Sequence, residues 1–299
     1  MVQSRAETSK AKRTGLGDEG GKTEKTQSPE PRYLVRVVID AASILEAFGS
    51  RNTPLGITEI SKSVGVGRSK VHRLVDTLRF LGFVEQDQVS KKYRLGLRTF
   101  EIAAAAASRF DLGPQARQAL QELVWATGET VNVGVLQGNE ILYIDNVRGF
   151  GPLRLEVELG TRAPANCVAM GKVLLAFESR EQVERVLSGP LAAPTRNSIA
   201  NPDRLREELN RVRELGYALD DEESFPGMRC VAVPVFHYSG SPIASIAVSG
   251  QAAQLPMPRL LDFVQALKDT AERISSAKDG PRLLVPSGVT IEDNPPIEW

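Results

Sequence analysis

Arg68, Ser69, Lys70, His72, Arg73 and Thr77 fall within one short stretch, "RSKVHRLVDT", and supply the donors that a nucleic acid needs. A guanidinium forks onto a guanine edge or a phosphate, an ammonium meets phosphate as a point charge, and hydroxyls bond either. All six lie off an apolar stripe of Val71, Leu74, Val75, Leu78 and Leu81, whose spacing is that of one helix face. Long donors outside and apolar residues behind are what a helix needs to enter a major groove while held on its domain. Lys91, Lys92 and Arg94 follow closely, and residues 62–98 hold 9 basic against 3 acidic residues. Double-stranded DNA is the expected partner, with Arg68, Ser69, Lys70, His72, Arg73, Thr77, Lys91 and Lys92 as its contacts.

Other chemistry is sparse. The chain has 2 cysteines and 2 histidines, so Cys167, Cys230, His237 and Asp220 make a poor metal set, and no metal or cofactor is expected. The two thiols read as small buried residues. No GxSxG elbow, HExxH pair, P-loop or GxGxxG turn is present, and an enzyme is not expected. "NCVAMGK" leads into a helix whose first N–H groups suit a carboxylate. Arg162, Lys172 and Arg229 are expected to pair with local acids.

Local patterns indicate the elements that position these residues. Leu34, Val37, Val38, Ala41, Leu45 and Phe48 recur at helical spacing, and a short helix opens at Ile57. Gly65 and Gly67 allow a tight turn into the basic helix, which Gly82 ends. "FVEQ" and "KYRLG" read as a hairpin around the loop "DQVSK". Three helices and a hairpin outline a winged helix-turn-helix over residues 31–96, with a linker helix over 97–112. Beyond it, strands are expected at 131–137, 140–147, 153–159, 217–222, 230–236 and 245–250. Helices are expected near 169–178, 181–188, 202–215 and 257–276, giving an α+β domain over 113–277. Residues 1–30 lack bulky apolar groups and read as a disordered tail, and 278–299 as an extended one.

Charge divides along the same line. The whole chain balances 37 basic and 37 acidic residues, yet residues 1–109 sum to +7 and 110–299 to −7. A basic module for a polyanion is thus joined to a module with another task. No segment reaches the roughly 18 apolar residues that span a bilayer, and the polar start is no signal peptide, so a cytoplasmic protein is expected.

Seven stretches carry a resemblance: "ITEISKSVGVGRSKVHRLVDTLRFLGFVEQD", "KYRLGLRTFEIA", "TGETVNVGVLQGNEILYIDNV", "VAMGKVLLAF", "RELGYALDDEE", "GMRCVAVPVF" and "IASIAVSG". In order and spacing they resemble the IclR family of bacterial transcriptional regulators, over roughly residues 35–275. The resemblance implies a winged helix-turn-helix, a GAF-like effector-binding domain, dimers or tetramers, and repression or activation at partly palindromic operators. It also implies a small-molecule site built from Leu153, Leu155, Ala169, Met170, Gly171, Asp220, Met228, Cys230, Ala247 and Ser249. Ala247 stands where some members with small oxo-acid ligands carry serine, so a larger or more apolar organic acid is expected. The alternative is a constitutive or architectural DNA-binding protein whose second domain only oligomerises.

Overall fold

The computed structural model describes residues 33–49, 53–107, 112–151, 157–237 and 240–276. Both expected tails, and Leu153 and Leu155, lie outside them. The chain divides between Thr99 and Phe100 into two units.

The first unit holds α1 (Arg36–Gly49), α2 (Ile57–Val64), α3 (Arg68–Phe80) and a hairpin of β1 (Val84–Gln86) and β2 (Tyr93–Leu95). Its core joins Ile44 and Phe48 of α1, Ile60 of α2, Val71, Val75 and Leu78 of α3, and Val84 and Tyr93 of the hairpin. Gly65 closes α2 in the left-handed region at φ 67°, and the Ser61 hydroxyl donates to the Val66 carbonyl (2.6 Å), tightening the turn into α3. Leu55 adds a bridge to Tyr93 at the hairpin's edge. Two expectations about the apolar stripes fail. The buried face of α1 runs through Asp40, Ile44, Ala47 and Phe48, leaving Leu34, Val37 and Val38 exposed, and Leu81 is exposed beyond the end of α3. An ion pair turns α1 to this face, as described below.

α4 (Leu97–Ala107) crosses the division between the units. The second unit continues with α5 (Gly113–Thr127), β3 (Thr130–Gln137), β4 (Glu140–Val147), β5 (Arg162–Pro164), α6 (Ala169–Ala176), α7 (Arg180–Leu187), α8 (Pro202–Leu215), β6 (Ala218–Asp221), β7 (Met228–Phe236), β8 (Pro242–Gln251) and α9 (Met257–Ser275). The strands form one antiparallel sheet in the order β5-β4-β3-β8-β7-β6. Strand alternation sends Val131, Val133, Val135, Val231, Val233, Val235, Ile246 and Val248 to the face covered by α5 and α9. The opposite face carries Ile141, Tyr143, Cys230, Ala232 and Ala247 beneath α6 and α8.

This is the GAF-like α+β architecture that the resemblance implied, with two local departures. The strand expected at 153–159 is not formed at Val157–Leu159, and the edge strand is instead Arg162–Pro164. The helix at Gly113–Thr127 was unforeseen, although Pro114 near its start and Gly128 (φ 78°) at its end are boundary signals.

Candidate functional site

Two groups of side chains stand out, one in each unit. On α3, Arg68, Ser69, Lys70, His72, Arg73 and Thr77 are all exposed, so the helix does turn its donors to solvent. Their engagements differ. Lys70 pairs with Asp40 of α1, a carboxylate only 2% exposed that Arg36 also approaches at 3.2 Å. The Lys70 and Arg36 cations hold the Asp40 carboxyl below the usual carboxylate range. This pair places Asp40 on the buried face of α1 and fixes α1 against α3. Periodicity missed it because an acid within a helix reads as a solvent-side residue. His72 Nδ1 lies 2.9 Å from Asp76, and Thr77 Oγ1 donates to the Arg73 carbonyl at 2.9 Å. Arg68, Ser69 and Arg73 have no side-chain partner among the described residues.

The hairpin loop is built around Asp87. Its carboxylate accepts from the Ser90 N–H (2.6 Å), the Ser90 hydroxyl (2.7 Å) and the Val89 N–H (3.2 Å). Those bonds, the Ser90 N–H first, hold its carboxyl below the ordinary value. Lys91 takes the left-handed conformation at φ 58° and is exposed, with no side-chain partner among the described residues, whereas Lys92 meets Glu59 of α2 at 3.2 Å.

In the second unit, the first turn of α6 is buried through Ala169, Met170 and Gly171. Gly171 is required there, because a β-carbon would collide with the Ala165 backbone. Across the sheet, Ser249, Cys230 and Asp220 pair side by side on three neighbouring strands, with Ala247 two residues from Ser249 on the same face. Met228 is half-buried at the start of β7. Asp220 is fully buried. It accepts the N–H groups of Glu223 (2.8 Å) and Ser224 (3.2 Å) and the Ser224 hydroxyl (2.5 Å), while burial raises its pKa. Burial also pushes the Cys167 thiol up to about 11 and Cys230 higher still, so both are protonated at neutral pH.

Lys172, 1% exposed, meets Glu223 at 2.5 Å and Glu208 at 3.7 Å. Burial outweighs the lysine's attraction and pushes Glu223 up to about 7. Arg162 pairs with Glu140 (3.3 Å) and Arg229 with Asp221 (2.6 Å), so all three cations pair locally as expected. A cavity of about 520 Å³ opens beside this region, lined by Arg162, Pro164, Cys167, Ala192, Pro194 and Ser224 among others. It touches the segment before α6 and the Ser224 clamp on Asp220, but none of the eight expected effector residues among the described residues lines it. Sequence reading also missed Asn132, whose side-chain N–H donates to Ser249 Oγ at 3.1 Å from the same face. No helix among the described residues is long and apolar enough to cross a membrane.

Comparison with known proteins matches both units. Residues 39–88 match the IclR helix-turn-helix domain, and residues 104–276 match the bacterial transcriptional regulator IclR C-terminal domain. The chain is 37% identical over 243 residues to the HTH-type transcriptional regulator KdgR of Escherichia coli, covering 81% of this chain and 92% of that protein. It is 30% identical over 242 residues to the transcriptional repressor IclR of the same organism, covering 80% and 88%. Among solved structures, the Thermotoga maritima IclR superposes with a TM-score of 0.65 at 30% identity, covering 80% of this chain and 97% of that one. An IclR transcriptional regulator from Alicyclobacillus acidocaldarius gives 0.71 at 29% identity, covering 81% and 98%. The chain belongs to the IclR family of transcriptional regulators, with a helix-turn-helix DNA-binding domain ahead of the family's C-terminal domain.

Proposed function

We propose that this regulator reads a specific operator with the outer face of α3 and the hairpin wing, and that an organic acid bound in the second unit controls that binding. The observation that carries the DNA reading is the sorting of the cations. Arg68 and Arg73 on α3, and Lys91 on the wing, are exposed and without side-chain partners among the described residues, while Lys70 and Lys92 are engaged within the unit. Arg68, Ser69 and Arg73 then make the base and phosphate contacts, Lys91 a phosphate contact, and Lys70 braces the helix. His72, Thr77 and Lys92 border the same surface.

The acid reading rests on α6. Its first-turn N–H groups favour a carboxylate, and Met170, Ala247 and Met228 offer an apolar wall beside the Ser249–Cys230–Asp220 row. α4 supports self-association: Leu97, Phe100 and Ile102 are exposed on a short helix, and such a helix is marginal alone in water. A second copy covers it, making a homo-oligomer that works in the cytoplasm, where its DNA lies. Effector control requires that operator and acid favour different arrangements of this assembly.

Fluorescence anisotropy with promoter fragments, with and without organic acids, tests both parts. Affinity should fall steeply with salt and shift in the presence of an active acid. Binding insensitive to salt overturns the assignment of α3. Operator binding that no acid alters leaves a constitutive DNA-binding protein.

A further inference from the structure

We infer that Asn132 is an effector-binding residue and that it selects acids carrying a hydroxyl group. The inference rests on the reading of the α6-covered face as the effector site. Asn132 lies on β3, is 1% exposed, and donates through its side-chain N–H to Ser249 Oγ at 3.1 Å. The other end of the amide, Oδ1, is buried with no hydrogen-bond partner. Buried polar groups are nearly always paired, so an amide left half-satisfied inside a sheet calls for a partner from outside the chain.

The strands around it do not supply one. Its β8 neighbour in register is Ala247, which offers only a methyl group. Its β4 neighbour is Asn146, whose amide gives one N–H to the Val157 carbonyl at 3.1 Å and makes no bond to Asn132 Oδ1. Two residues further along β3, Gly134 leaves the space into which Met170 of α6 packs; a β-carbon there would stand 3.3 Å from the Met170 sulfur. The free end of Asn132 therefore belongs to the face that α6 covers. Tyr143, opposite Gly134 on β4 and 8% exposed, brings a hydroxyl that likewise has no partner among the described residues.

A ligand hydroxyl both donates and accepts, so it satisfies the amide in either orientation of the side chain. A carboxylate at α6, an apolar body along Met170 and Ala247, and a hydroxyl at Asn132 together define a hydroxylated carboxylic acid. A site built to bond a hydroxyl discriminates strongly against the analogue that lacks it, because its own polar group is then left unpaired.

The test is a hydroxyl walk along one six-carbon acid. Hexanoate, its 2- to 6-hydroxy derivatives and D-gluconate are titrated calorimetrically into the full-length protein, the Asn132→Val variant and the Asn132→Ala variant. At least one hydroxylated acid should bind the native protein tenfold or more tightly than hexanoate. Both variants should lose that preference, hexanoate and the hydroxylated acid then binding within about twofold of each other. A preference retained in a folded variant overturns the role of Asn132 and leaves the acid-effector reading standing, as does equal binding of hexanoate and every hydroxy acid. Binding by none of these acids removes the acid reading and the inference together. If neither variant folds, the Asn132 side-chain amide resonances of the native protein decide: they must shift with the preferred hydroxy acid, and no shift overturns the assignment.

Discussion

The exposed face of α3 and the buried face under α6 use the same kinds of charged residue to opposite ends. On α3 the arginines stand in water, and a surface ion pair such as Lys92–Glu59 contributes at most about 1 kcal/mol. Under α6 one lysine is enclosed with Glu223 at 2.5 Å and with Asp220 nearby, and burial sets which groups hold protons. Solvent leaves a cation free to meet a phosphate, whereas burial commits it to its neighbours. Asp40–Lys70 lies between the two: an exposed ammonium on a buried carboxylate, which makes a cation of the proposed DNA face into a brace.

The largest expected effect breaks the buried side of this contrast. At pH 8, where Glu223 is ionised, Lys172→Met leaves it without its cation and should destabilise the second unit by about 3–5 kcal/mol, read from urea unfolding. Adding Glu223→Gln should recover much of that loss, and a double variant no more stable than the single one would rule out the pair as the cause. On the exposed side, Arg73→Ala should weaken operator binding by about 1–3 kcal/mol with the melting temperature unchanged. Lys91→Ala should lower the salt slope by about one, uniformly across sequences. A melting temperature that falls with Arg73→Ala would place that arginine with Lys70, among the braces.

Acidity separates the two regions further. Burial holds Glu223 at about 7, above the 4.5 of a free carboxyl, so the folded protein keeps a proton that the unfolded chain releases. Its contribution to stability is complete below pH 4.5 and is lost as pH rises through 7. Between pH 6 and 8 the second unit should lose about 1 kcal/mol from this group, and Glu223→Gln should remove that part of the pH dependence. The smallest effect is expected from Lys92→Ala, which should cost under about 1 kcal/mol and vanish at high salt.

Much of this molecule is legible in its residues. The periodicity of Val71, Val75 and Leu78 gives α3, with Gly67 at its start and Gly82 just past its end. The valine alternation in β3 and β7 marks strands with two different faces. The reading loses its grip where local pattern and tertiary contact disagree. Leu34, Val37 and Val38 have helical spacing, yet Asp40 owns the buried face through Lys70, a pairing across 30 positions of sequence. Val157–Leu159, within the strand expected at 153–159, forms no strand, and the edge is Arg162–Pro164, whose pairing with Glu140–Leu142 only the assembled sheet selects. Asn132 passed unnoticed because a single asparagine in a valine-rich strand has no motif.

The sequence by itself determined the kinds of element, the division into a basic and an acidic module, and the family. These depend on residue types at short spacing, where helix and strand periods and turn residues act locally. Tertiary structure alone decided which cations are free, since Lys70 and Arg73 are indistinguishable until Asp40 is folded against one of them. It also decided which buried polar groups are left half-satisfied, because a hydrogen bond is closed or left open only when distant strands fix the distance.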